Sequence, residues 1–220
     1  MTTLRPALSV TLGTLRYDAH AAWGEVTLAL LPRGGAATVA LPPHVRCEAA
    51  PGDPAAITLD GGEGAHAVLA GTVRTVRRTL DAIVVGVADA GSALAAYRPS
   101  KTFERQGAAQ IVRALAADVA VRTAAVDVAL DLPAYVAHPG RTAAEHVAEL
   151  ARLGGALGAV DGEGRLVVRP RPGGAATVAL RYGRDLVAYD AGDAGGAGAA
   201  GGGPHAIGAG PAGSASAPDA

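Results

Sequence analysis

The chain has 220 residues, 50% of them hydrophobic, and a formal net charge of −1 at pH 7, which excludes wholesale disorder and leaves room for one domain of ordinary size or two small ones. Aromatic residues are only 3%, with one Phe and one Trp, so the core must be built from Ala, Val and Leu, each burying less area than an aromatic ring. The near-neutral charge and a single lysine, Lys101, leave no basic field for a phosphate backbone and no stacking platform, which argues against nucleic acid as a partner.

A core this thin suggests a chain that gains stability from neighbours; a coding bias toward Ala, Gly and Arg gives the same composition, and both readings stay open. The single Cys47 forbids an internal disulfide and reads best as a small buried hydrophobe. The first residues lack a charged segment followed by a long apolar one, and no stretch approaches the roughly 18 consecutive apolar residues of a spanning helix. A soluble product without a Sec-type address is expected.

From residue 8 to 87 the sequence reads as β-rich. Alternating runs at 9–12, 25–30, 37–41, 56–59, 68–76 and 82–87 are separated by turn signals at Arg33-Gly34-Gly35, Pro42-Pro43, Pro51-Gly52-Asp53-Pro54 and Asp60-Gly61-Gly62-Glu63-Gly64. Short strands at this spacing with no long helix between them predict a small antiparallel barrel or sandwich, not a doubly wound sheet. Residues 92–97 predict one helical turn.

The stretch from Thr102 to Arg169 reads as helix, extended linker, helix and hairpin. Ile111, Val112, Leu115, Ala116 and Val119 form an apolar stripe entered through Gln106-Gly107. Thr142-Ala143-Ala144-Glu145 is a capping box that starts a second helix, whose apolar face carries Val147, Leu150 and Ala151 before the Gly154-Gly155 break. Residues 157–160 and 165–169 then make two strands around Asp161-Gly162-Glu163-Gly164. The octapeptide GGAATVAL at 34–41 recurs letter for letter at 173–180, through biased composition or because the chain holds two related β units with the helices inserted between them. Residues 191–220 are almost all Gly, Ala, Pro and Ser, with Ile207 as the one large aliphatic, and a flexible tail is expected there.

No arrangement of residues points to a reaction centre. The Gly-rich runs lack a following Lys-Ser/Thr, and the Gly-x-Ser-x-Gly elbow is missing. His44 and Cys47 are near in sequence, but no second pair completes a four-coordinate zinc site. His146 lies in the first turn of its helix and reads as a solvated polar-face residue. Asp60 to Gly64 falls short of a calcium loop and reads as a β-turn. Asp127 and Asp131 flank Leu130 and Leu132 in a connecting segment. No catalytic, cofactor-binding or metal residue is expected, and the weight shifts toward assembly or binding.

With the elements in this order, the chain resembles the phage late control D family, the baseplate hub proteins of contractile tails, related to the hub portion of type VI secretion spike proteins. The resemblance runs from about Ala7 to Tyr189. It rests on residues 68–76 with Gly71-Thr72-Val73 near their centre, on the strand 82–89 ending in Asp89, on residues 110–116, on the Thr142 capping box, on 150–155 and the hairpin ending at 165–168, and on Tyr182-Gly183-Arg184-Asp185-Leu186, which looks like the start of a second barrel. It implies a mainly β fold with an α+β insertion: a first β-barrel domain over 1–98, a helix-linker-helix-hairpin unit over 99–170, the start of a second barrel over 171–190, and the tail over 191–220. It also implies a homotrimeric structural protein, with no enzymatic activity and no cofactor, that adapts the tail tube to the central spike. Its partners would be the spike protein and tube or baseplate proteins, without stable membrane insertion. It would be made in the bacterial cytoplasm and built into a phage tail or an injection particle. After Asp185 the family normally needs many more residues, so the second barrel is either incomplete or completed by a partner chain. Arg74, Arg77 and Arg78 are plausible rim contacts, with a solvated strand edge as the blander reading. Two other classes compete: a ligand- or glycan-binding β-barrel, for which Trp23 and five tyrosines are a poor supply of platforms, and a tail-associated cell-wall hydrolase.

Overall fold

The computed structural model describes residues 7–18, 21, 23–62, 64–171, 186–190 and 205–208. Alternation builds its first half. In β7 (Ile83–Asp89) every second side chain is buried, the period-2 signature of a strand with one face on a core. β7 lies in a seven-stranded antiparallel sheet with β1 (Ala7–Leu12), β2 (Leu15–Tyr17), β3 (Trp23–Thr27), β4 (Ala36–Leu41), β5 (Pro54–Asp60) and β6 (Ala65–Arg78), in the order β2-β1-β5-β6-β7-β4-β3. The sheet curls into a half-barrel. β3 returns so close to β1 that a Cβ on Gly24 would lie 3.2 Å from Leu8 Cδ2. Val10, Leu12, Val39, Leu41, Ile57, Leu69 and Val85 fill the interior.

Gly71 shows why the Gly-x-Val in β6 needs its glycine. A Cβ there would sit 2.0 Å from the Ala88 carbonyl oxygen of β7, inside any permissible contact, so only glycine lets the two strands meet at this point.

The helical module follows β7 directly. α1 (Gly91–Ala96) leads into β8 (Lys101–Gly107) and α2 (Ala108–Ala117); β9 (Thr123–Val126) and β10 (Asp131–Ala137) lead into α3 (Ala143–Leu153); β11 (Ala156–Val160) and β12 (Leu166–Pro170) close it. β10 pairs antiparallel with β8, and β9 adds parallel to β12 beside the β11–β12 hairpin. The stretch expected as an extended linker is therefore two strands, and residues before α2 form a third. Its core gathers Ile111, Leu115, Val147, Leu150 and Leu166 between α2, α3 and the three-stranded sheet.

The capping box forms as expected: Glu145 N donates to Thr142 Oγ1 at 3.2 Å, and Thr142 N donates to Glu145 Oε2 at 2.6 Å. The bonds from Thr142 hold the Glu145 carboxyl below its ordinary pKa. At the start of α2, Gly107 N donates to Gln110 Oε1 at 3.2 Å.

The barrel and the helical module lie within one compact unit, Arg5–Arg171. Beyond it, β13 (Leu186–Asp190) and β14 (His205–Gly208) pair antiparallel. β14 falls inside the stretch expected as a tail, at its one large aliphatic residue. The second octapeptide at 173–180 and the segment Tyr182 to Asp185 lie outside the described residues.

Candidate functional site

Among the described residues, the features that stand out are the way the barrel and the helical module are fixed to each other and the surface they present. Two contacts make the junction. The β3–β4 connection sends Leu31 out of the barrel: Leu31 N donates to the Gly158 carbonyl of β11 at 2.9 Å, Leu30 bridges to Ala159, and the Leu31 side chain is buried in the core of the helical module. A Cβ on Gly158 would stand 3.3 Å from Leu31 Cδ1, so the glycine makes room for the plug. Reciprocally, the β11–β12 turn lies on β6, where a Cβ on Gly162 would be 2.0 Å from the Ala67 carbonyl oxygen. The turn itself is tied by Asp161, whose Oδ1 accepts from Glu163 N at 3.0 Å and Arg165 N at 2.9 Å.

Asp89 locks the joint from within. It ends β7 and is 6% exposed. Its Oδ2 accepts from Gly35 N at 2.7 Å and its Oδ1 from Gly91 N at 2.8 Å. One carboxylate thus fastens the start of β4 to the start of α1. The glycines of the first octapeptide gain a reason: a Cβ on Gly34 would come 2.9 Å from Asp89 Oδ1, and one on Gly35 2.7 Å from Asp89 Oδ2. Burial pushes the Asp89 carboxyl above the ordinary carboxylate value, against the opposing pull of the backbone N–H groups of Gly35, Gly91 and Ser92.

The structure corrects the reading of His146. It is 2% exposed, because β10 folds over the face of α3 on which it sits. Its Nε2 donates to the His138 carbonyl at 3.0 Å, which leaves Nδ1 to accept from the Tyr135 hydroxyl at 2.8 Å; this tautomer is assigned from the partners. The rings of Tyr135 and His138 meet the imidazole edge-on at 5.7 and 5.3 Å. Both ring nitrogens are occupied, so the residue pins β10 to α3 and has no lone pair free for a metal or a substrate.

The other polar residues singled out in the sequence are not brought together. Asp60 Oδ1 accepts from Gly62 N at 2.7 Å and Gly64 N at 3.1 Å, which is the β-turn. Asp127 follows β9, with its N–H on the Val168 carbonyl at 2.8 Å, and Asp131 opens β10, so the two acids sit on different sheets. Cys47 is half-buried beside Tyr17, whose hydroxyl donates to the Arg46 carbonyl at 3.0 Å. Burial first, and Cys47 next, push the Tyr17 phenol up to about 12. Among the described residues no group of three His, Cys, Asp or Glu could hold a metal ion.

An open cleft of about 450 Å³ lies between the β3–β4 connection and α3, with Glu145, Glu149 and Arg152 on one wall. Arg141 and Arg171 line it as well; within α3, Arg152 clasps Glu149 at 3.0 and 2.8 Å, and Glu145 closes the capping box. A second cleft of about 440 Å³ between β6 and α1 is lined by small residues such as Ala70, Ala90 and Ala93 and by Arg74, Arg122 and Glu163. Neither sets a nucleophile beside a base.

No family model and no curated protein matches the sequence. Solved structures do match the fold. The 43 kDa tail protein of prophage MuSo2 from Shewanella oneidensis superposes with a TM-score of 0.64 at 20% identity, covering 84% of this chain and 62% of that one. A tail protein from Neisseria meningitidis MC58 gives a TM-score of 0.62 at 16% identity over 84% of this chain and 58% of the other. The chain thus spans about three fifths of the length of the tail proteins it matches, and its mainly β architecture with a helical insertion is a fold found in phage tail proteins.

Proposed function

We propose that this chain is a structural component of a phage tail or of a phage-tail-like contractile injection particle, and that within it the chain belongs to the baseplate hub that adapts the tail tube to the spike. The observation that carries the reading is the likeness of 84% of the chain to two tail proteins. The junction supports it: Leu31, Gly162 and Asp89 fix the barrel to the helical module without hinge or catalytic group, as suits a part that transmits geometry. The packed barrel interior leaves a ligand-binding lumen without support. On this reading the domains divide as 1–98, 99–170, 171–190 and 191–220, the hub is a homotrimer, and its partners are the spike and tube proteins. No catalytic role and no cofactor is assigned.

Light scattering on the purified full-length chain, alone and mixed with the spike and tube proteins of its own particle, tests this. A trimer, or a three-to-three complex with the spike, is expected. A monomer that joins neither protein overturns the hub role.

A further inference from the structure

In the β6–β7 hairpin, β6 outruns its neighbour β5, while β7 stays flanked by β4 down to Ile83. β6 is 14 residues long, yet β5 pairs with it only from Ala65 to Thr72, so its distal part is held in the ladder by β7 alone. The register shifts between Val73 and Thr75, leaving Arg74 as the extra residue of a bulge, a device that twists a hairpin and re-aims its side chains. Gly86 permits it, since a Cβ there would lie 2.6 Å from Thr75 Oγ1.

The tip is braced. Thr79 N donates to the Ala82 carbonyl at 2.9 Å, Thr79 Oγ1 donates to the same carbonyl at 3.0 Å, and Ala82 N donates back to Thr79 Oγ1 at 3.1 Å. On this turn stands Leu80, 95% exposed. Below it come Arg74, Arg77 and Arg78, all exposed. Arg78 is anchored to the Cys47 carbonyl at 2.8 Å, whereas Arg74 and Arg77 make no hydrogen bond or ion pair among the described residues.

We propose that this hairpin is a docking knob whose Leu80 enters an apolar socket ringed by Asp or Glu on another protein of the same particle; the inference rests on the tail reading above. Charge complementarity selects the partner. Arg77 and Arg78 against the single Asp81 call for an acidic rim, and Arg77 reaches it without giving up an existing bond, whereas Arg74 lines the cleft between β6 and α1. A rigid turn holds Leu80 in place before contact, so little ordering entropy is lost on binding. A membrane is a poorer fit, because one leucine buries far too little apolar area to hold a protein at a bilayer.

The test measures binding of the full chain, by biolayer interferometry at two salt concentrations, to the purified tube and spike proteins and to vesicles containing anionic lipid. Wild type is compared with Leu80→Ser and with Arg77→Ser, both side chains being exposed. Expected is binding to the tube or spike protein that weakens at least about tenfold in Leu80→Ser, and weakens with a flatter salt dependence in the arginine variant. Protein binding unchanged in both variants overturns the knob and leaves the tail role standing. Wild type that binds neither protein overturns the tail role as well. Vesicle binding that Leu80→Ser abolishes overturns the protein socket in favour of a lipid surface.

Discussion

The barrel and the helical module draw on the same short alphabet of Ala, Val, Ile and Leu, yet they close their cores in opposite ways. In the barrel the chain is brought together by what is missing: Gly71 lets β6 and β7 approach to a distance that any side chain would forbid, Gly24 leaves room for Leu8, and the hydrogen-bonded polar group in the described core is the Tyr17 hydroxyl on the Arg46 carbonyl. In the helical module the chain is brought together by what is present. His146 stands among the buried residues with both nitrogens bonded, and α3 is started by a reciprocal cap. A β-core of small residues has little dispersion contact to lose and depends on backbone fit, whereas short helices need local stops and one specific polar clasp to settle their orientation. The joint between the two uses both devices, glycine fit at Gly162 and a bonded carboxylate at Asp89.

Placing a methyl group at Gly71 breaks the barrel side of this comparison most severely. Gly71→Ala puts a Cβ 2.0 Å from the Ala88 carbonyl, and parting β6 from β7 should cost about 3 kcal/mol. Urea denaturation reads the loss, and amide exchange locates it: β6 and β7 should exchange faster while α2 and α3 keep their protection. Uniformly faster exchange would show that the two cores are one cooperative unit and erase the contrast. The mirror experiment is His146→Ala, which empties a buried site and leaves the Tyr135 hydroxyl without its acceptor. It should cost about 2 kcal/mol, with exchange rising in β10 and α3 instead.

The two halves were also unequally legible. Each of the six runs proposed for the barrel overlaps a strand, because period-2 alternation is written into residues such as Val85 and Val87 whatever their partners do, although the run 25–30 meets β3 only over residues 25–27. β2, three residues long with Arg16 exposed at its centre, carries too little pattern to be seen. In the helical module both long helices show in their caps and stripes, but β8, β9 and β10 do not. β8 reads KTFERQG and has one buried side chain, Phe103; β10 contains Pro133 and only Ala137 is buried. Each is a strand because the other lies beside it and α2 and α3 lie beneath, a tertiary cause invisible in local sequence. The burial of His146 has the same origin, since it sits at the edge of the apolar stripe, one turn before Leu150, and β10 covers that edge while Glu145 and Arg152 stay exposed. Of the junction, Asp89 is marked by the resemblance, while the plug formed by Leu31 has no signal beyond a leucine before Pro32.

Asp89 sharpens the comparison at the joint itself. Asp89→Asn presents an amide group to one of two backbone donors, Gly35 N or Gly91 N, and should cost about 1.5 kcal/mol. The pH dependence carries a definite sign. The folded-state pKa lies above the ordinary carboxylate value, so the native state holds more protons than the unfolded one between the two values, and wild-type stability from this group falls as pH rises through that window. The margin of wild type over Asp89→Asn, followed by thermal unfolding from pH 7 down into the carboxylate range, should therefore widen as pH falls. A margin that narrows would mean that the hydrogen bonds outweigh burial at this carboxylate.

The smallest expected effect runs the other way and tests whether the helical module is limited by its local stops. After α2 the chain turns out through Ala120, whose φ is +56°. Val121 N donates to the Ala116 carbonyl at 3.0 Å and Ala120 N to the Ala117 carbonyl at 3.1 Å. That pair of bonds is a Schellman ending, with Ala120 where glycine usually stands and Val121 supplying the buried apolar contact. An L-residue in the left-handed region costs about 1–2 kcal/mol, while glycine loses more freedom on folding, about 0.5–1 kcal/mol. Ala120→Gly should thus stabilise the protein by about 0.5 kcal/mol net, seen as a higher urea midpoint at unchanged slope. Gly61→Ala in the barrel isolates the other half of the balance, since a Cβ there meets nothing within 4 Å and the midpoint should rise through the glycine entropy alone, about 0.5 kcal/mol. If Ala120→Gly destabilises instead, the unfolded-chain entropy of glycine outweighs the relief of strain, and the helical module is held by its core and the His146 clasp, not by the way its helices end.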